Sequence, residues 1–158
     1  MAELTLEDIL DEIIKDAEAV STKMTVEEKQ KVTKAGADVF ARELESQYKA
    51  KHYRHRKTGR SPHLAESVIT QNTNVDGMKN GYSTVGLPKD KAYIANFIEN
   101  GTKTPMYSAK GRKVKHGGQI AINADHTIEK LRNDSGMQSK MLEAQALEYK
   151  KVIDRRNQ

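Results

Sequence analysis

Cysteine and tryptophan are absent from this chain of 158 residues, and phenylalanine occurs only twice. Without cysteine there are no disulfides, no thiolate metal ligands and no cysteine nucleophile, which removes several enzyme and metal-site classes at once. With 36% hydrophobic residues against 31% charged, the apolar core has to be modest. Exposed helices, long loops or burial completed by neighbouring molecules are therefore expected. No apolar run approaches the roughly 18 to 20 residues of a membrane-spanning helix. The opening MAELTLEDIL is acidic where a signal peptide is basic, so the chain is expected to be made and kept in cytoplasm, with no membrane partner. There is no internal repeat, and the length suits one domain over residues 1–158.

Acidic residues are missing from two stretches, 51–63 and 100–124, and each carries five Lys or Arg. The formal net charge of +5 is thus concentrated in two segments on an otherwise acidic body, and both segments read as mobile basic loops, 51–63 and 102–118. The first holds Arg54, Arg56, Lys57 and Arg60, with Tyr53 beside them, a combination able to contact phosphates and stack on a base. The His52 and His55 spacing suits a metal, but no other ligand cluster lies nearby in sequence, which favours a solvated loop. The second holds Lys110, Arg112, Lys113 and Lys115 without apolar periodicity. A loop this long in a compact domain is uncommon unless functional or disordered. Its Gly111, Gly117 and Gly118 lack the glycine-lysine-hydroxyl spacing of a phosphate loop.

Helical signals bracket the chain. Thr5 with Asp8 reads as a capping-box-like start, followed by Leu6, Ile9, Leu10, Ile13, Ile14 and Ala17 at helical spacing to about residue 20. That face packs on its own domain or docks on a partner subunit. Thr25 and Glu28 form a second capping box. Val32, Gly36, Val39, Phe40, Leu44 and Tyr48 carry that helix to about residue 50, with Gly36 suggesting a close neighbouring backbone. Residues 125–156 read as one long helix or two, broken near 133–136. Ile128, Leu131, Leu142, Ala146, Tyr149 and Ile153 form a partial stripe.

Between the helices, Leu64 closes a short helical turn, and residues 67–75 and 81–87 read as the two strands of a hairpin. Residues 119–122, with Ile120 and Ile122 on one side, are a candidate third strand. Pro88 stops the second strand, and Asp90 is placed to cap a short helix in which Tyr93, Ile94, Phe97 and Ile98 share a face to be buried. Gly101 falls where a positive φ ends that helix, with its N–H on the Ile98 carbonyl, and Pro105 prevents a restart. No nucleophile in this stretch has a base beside it. The fold class expected is α+β: a small antiparallel β-sheet with a short packed helix, flanked by long amphipathic N- and C-terminal helices.

The wording of these central residues, YIANFIENGTK after a Val85-Gly86 strand and His63-Leu64-Ala65-Glu66-Ser67-Val68, resembles the HK97-like tail-completion or neck proteins of long-tailed bacteriophages. The matching motifs here are Thr58-Gly59, Leu64 to Val68, Val85-Gly86, and Tyr93 to Thr102. The intervening residues 60–63 are longer than the family spacing of about one residue. His126-Thr127-Ile128 stands where the family places a His-Phe pair.

The resemblance implies a non-enzymatic structural protein of the virion, assembled in host cytoplasm, that joins head to tail without a cofactor. It implies a ring of about six or twelve copies around the DNA channel. Partners would be other head-tail junction and tail proteins, with the basic loops meeting either acidic protein surfaces or genomic DNA. Leu64, Val68, Val85, Gly86, Tyr93, Ile94, Phe97, Ile98, Gly101 and Thr102 would carry fold and assembly. One alternative from another class is a nucleic-acid-binding protein using both basic loops. Another is a nuclease built on His52, His55 or His116, against which stands the lack of carboxylates in the basic stretches.

Overall fold

The computed structural model describes residues 24–53, 62–102 and 122–156. The helix read at residues 5–20 lies outside them, as do Arg54 to Arg60, Thr58-Gly59, His55, His116 and Lys110 to Lys115. The first described element is α1, Val26–His52. Thr25 Oγ1 accepts the Glu28 N–H at 3.2 Å while the Glu28 carboxylate accepts the Thr25 N–H at 2.8 Å, the reciprocal capping box expected. At the far end of the chain α4, Ser135–Arg156, runs back antiparallel along α1, so that Arg156 Nε reaches Glu28 Oε1 at 3.3 Å. Capping and ion pairing together hold the Glu28 carboxyl below its usual range.

Gly36 lets these helices come close, but the neighbour is a side chain: a Cβ there would lie 2.5 Å from Gln145 Nε2, not against backbone. The break expected near 133–136 falls at Asp134, between α3, Thr127–Asn133, and α4. Asp134 ends α3 in an extended conformation, and its carboxylate accepts the Gly136 N–H at 3.0 Å to start α4. The buried stripe of α4 is one residue out of phase with the expected one. Met137 and Val152 are buried and Met141 packs on the core, whereas Leu142 is exposed. A one-residue shift turns a helix face by about 100°, and the side that meets α1 is set by Gln145 lying over Gly36 and Arg156 over Glu28.

A 3₁₀ turn, Leu64–Glu66, precedes a two-stranded antiparallel sheet, β1 (Ile69–Gln71) and β2 (Thr84–Gly86), in the register Ile69 to Gly86, Thr70 to Val85 and Gln71 to Thr84. Both strands are shorter than residues 67–75 and 81–87 allow, because the chain between them is tied to α1 instead. Thr33 Oγ1 donates to the Gly81 carbonyl at 2.8 Å, and Gln30 Nε2 donates to the Asn72 carbonyl. Two short strands would not stand alone. They lie on α1, whose Phe40, Leu44 and Tyr48 form the core with Leu64, Ala95 and Ile98.

The short helix α2 spans Lys89–Asn100, and its N-cap is Pro88, with Asp90 inside the first turn and not at the cap. Its buried residues are Lys91, Ala95 and Ile98, with Ile94 packed on the core. Tyr93 and Phe97 are exposed, at 56% and 38%, and meet each other edge to face with ring centroids 6.0 Å apart. The expected four-residue apolar face is therefore split. The inner half is Ile94 and Ile98, while the outer half is an aromatic pair that packs on itself. Among the candidate residues in and before the sheet, Leu64 is buried, Val68 and Val85 are half-buried against the core, and Gly86 is exposed.

The split has a direct test in paired truncations. Ile98→Ala should cost about 2 to 5 kcal/mol, whereas Phe97→Ala should cost about 1 kcal/mol, as its ring already meets solvent. Denaturant midpoints decide it, and equal losses for the two variants would place Phe97 in the core.

Candidate functional site

The end of α2 is a clamp for a distant part of the chain. Gly101 has the positive φ expected, 72°, but its ψ of 179° lies outside the left-handed helical region. The carbonyl of Ile98 is taken not by Gly101 but by the Asp125 N–H at 2.9 Å, and the Glu99 carbonyl accepts the His126 N–H at 3.3 Å. Thr102 donates its N–H to the Ile122 carbonyl at 2.9 Å, while its Oγ1 accepts the Ile122 N–H at 2.9 Å. Gly101 faces this returning strand of chain so closely that a Cβ would sit 2.7 Å from the Ile122 carbonyl oxygen. Residue 122 thus pairs with Thr102. Ile120 and the rest of the candidate third strand lie outside the described residues.

Glu99 completes the clamp. Helix α3 begins at His126, which adopts φ 50° and ψ 37° and offers no side-chain cap. The Glu99 carboxylate caps it from α2, accepting the N–H groups of Ile128 at 3.1 Å and Glu129 at 2.9 Å. Ile98, Glu99 and Thr102 therefore hold the chain that returns after residues 103–121, and Gly101 lies close against it.

Asp125, inside the same clamp, reaches the C-terminal end of α1. Its carboxylate meets His52 Nε2 at 3.1 Å and Lys51 Nζ at 3.3 Å, and accepts the Thr127 hydroxyl. The Thr127 hydroxyl, backed by His52 and Lys51, holds the Asp125 carboxyl down at about 2. Beneath it Tyr48 is fully buried, and burial, with the charges of Glu99 and Asp125, pushes its phenol up to about 12. The other basic segment begins just past His52. Tyr53 packs on His63 with ring centroids 4.7 Å apart, and its hydroxyl points to Glu66. The entry and exit of residues 54–61 and those of residues 103–121 are thereby tied to one another through Asp125.

Sequence reasoning singled out Gly101 and Thr102 but missed Glu99, Asp125 and the pairing role of His52. The one readable signal was His126 opening a helix without a capping side chain. Among the described residues, no group of three or more His, Asp or Glu is placed to hold a metal, and no helix is long and apolar enough to cross a membrane.

A family model described as "Bacteriophage HK97-gp10, putative tail-component" matches residues 11–101, more than half of the chain. The chain belongs to this HK97-gp10-like family of bacteriophage tail components. No curated protein and no solved structure matches it. The HK97-gp10-like match ends at Gly101, the helix stop itself. It takes in α1, the hairpin and α2, and leaves outside α3 and α4, the helices that the clamp positions and that α1 packs against.

The clamp yields two expectations. Gly101→Ala should destabilise the fold by about 1 to 3 kcal/mol or more, since both the positive φ and the Ile122 backbone oppose a side chain. A wild-type melting temperature would show that the clamp does not need glycine. For Asp125, a folded pKa of about 2 against about 3.9 unfolded means that its stabilisation is complete above the unfolded value. It is lost as pH falls through about 2. Asp125→Asn should flatten the acid limb of the stability curve, and parallel wild-type and variant curves between about pH 2 and 5 would remove Asp125 from that limb.

Proposed function

We propose that this tail component is a non-enzymatic completion or neck protein that joins the phage head to the tail as a ring around the DNA channel. The observation that carries the reading is the convergence of the two acid-free segments: their roots, at Tyr53 and His63 and at Thr102 and Ile122, are linked through Lys51, His52 and Asp125. The described residues that flank two segments carrying ten Lys or Arg between them thus lie together at one end of the fold. In a ring, one such end per copy sums to a girdle of positive charge, suited to the phosphates of DNA passing through or to acidic surfaces on neighbouring tail proteins. The modest apolar content supports the same reading, because burial is then completed by the neighbouring copies.

The second reading, a nucleic-acid-binding protein in its own right, draws on the same convergence. The two differ in what the isolated protein does. Replacing Lys110, Arg112, Lys113 and Lys115 together by Ser should leave the melting temperature unchanged and impair head-tail joining, counted as joined particles when the variant is supplied in place of the wild type. Normal joining by the fourfold variant would take the second basic segment out of the function. Tight DNA binding by the unassembled wild type, with affinity falling steeply between about 50 and 200 mM salt, would favour the second reading.

A further inference from the structure

The chain between β1 and β2, otherwise rich in the Asn, Asp, Gly and Ser usual in a connection, also carries Val75, Met78 and Tyr82. Val75 is 92% exposed, and Met78 and Tyr82 are also well exposed. The segment is nevertheless tightly built. The Asn74 N–H donates to the Met78 carbonyl at 2.9 Å, Asn74 Oδ1 accepts the Met78 N–H at 2.8 Å, and the Gly77 N–H donates to the Asn74 carbonyl at 3.0 Å. Gly77, at φ +81°, allows the turn. Its base is fastened to α1 by Thr33, which bonds both the Gly81 carbonyl and Ser83 Oγ at 3.1 Å, and by buried Gly81 against Lys29. An ordered tip with its apolar side chains outward has already lost the entropy that a mobile loop would lose on docking.

A receptor of matching chemistry lies on the same chain. Between α1 and α4, Val39 and Met137 floor an open groove of about 220 Å³ whose rim is Arg42, Glu43 and Lys140. The tip sets the carboxylate of Asp76 and the ammonium of Lys79 beside Val75 and Met78, all exposed. Asp76 is complementary to the rim cations and Lys79 to Glu43. We propose that the β1–β2 tip of one copy seats in the α1–α4 groove of the next. Resting on the ring reading above, this assigns the ring its contact. The two surfaces are different parts of the molecule, the tip hanging from residues 29–33 of α1 and the groove beginning at Val39. Their contact is therefore heterologous, the kind that closes into a ring or runs on as a filament.

The test is the mass of the full chain in solution over a range of concentrations. Val75→Ser with Met78→Ser should weaken self-association about tenfold or more at an unchanged melting temperature, and Arg42→Glu with Lys140→Glu should do the same. Each pair spoils one half of the contact only. An equimolar mixture of the two doubly substituted proteins should therefore recover a one-to-one complex and nothing larger, and adding Asp76→Lys to the groove variant should restore its own association. Wild-type association by the tip variant would overturn this contact while leaving the ring standing. A wild type that stays monomeric at every concentration would overturn both.

Discussion

Helix α2 has to end where the chain comes back, and most of the architecture depends on that meeting. The last carbonyls of a helix and the first N–H groups of the next are both left without intrahelical partners. Here one turn of α2 answers both: the Ile98 and Glu99 carbonyls take the N–H groups of Asp125 and His126 just before α3, and the Glu99 carboxylate takes those of Ile128 and Glu129 within it. Gly101 allows the backbones to touch. The direction of α3 follows from this junction. Through the Asp134 break the direction of α4 follows as well, and with it the cover over α1.

The same junction organises charge. Asp125 is held in the clamp by its own backbone and turns its carboxylate toward Lys51, His52 and Thr127. It is a carboxylate at the root of two segments that contain none, and it neutralises part of α1's basic end where that end meets the fold. The stabilisation is shared among a hydroxyl, an imidazole and an ammonium.

Much of the local structure was legible because its causes are local. The Thr25–Glu28 capping box, the 3₁₀ turn at Leu64, the positive φ of Gly101 and the break near Asp134 each depend on hydrogen bonds or dihedrals within a few residues, and the hairpin joins strands that follow one another in the chain. The order of the central motifs likewise pointed to the family that the match over residues 11–101 bears out. Helix faces were less legible. On α2, Ile94 and Ile98 lie between the stripe through Tyr93 and Phe97 and the stripe through Lys91 and Ala95, and apolarity alone extends the buried face toward the aromatics. On α4, Leu142 and Ala146 compete in the same way with Met141 and Gln145.

The sequence by itself determined where α1 starts, where α2 ends and where α3 breaks from α4, that two strands pair between the helices, that two segments carry cations without acids, and which family the chain joins. Capping, backbone restriction and composition are properties of neighbouring residues, and they persist whatever the chain packs against. Only the tertiary structure decided which stripe is buried, because that depends on what stands opposite: Gly36 accepts Gln145, and the core reaches Ile98 but not Phe97. It alone decided that Glu99 caps a helix about 30 residues later and that Asp125 joins the roots of both basic segments. An ion pair or a borrowed cap has no sequence period, so contacts at this separation become visible only when folding sets the two ends of the chain side by side.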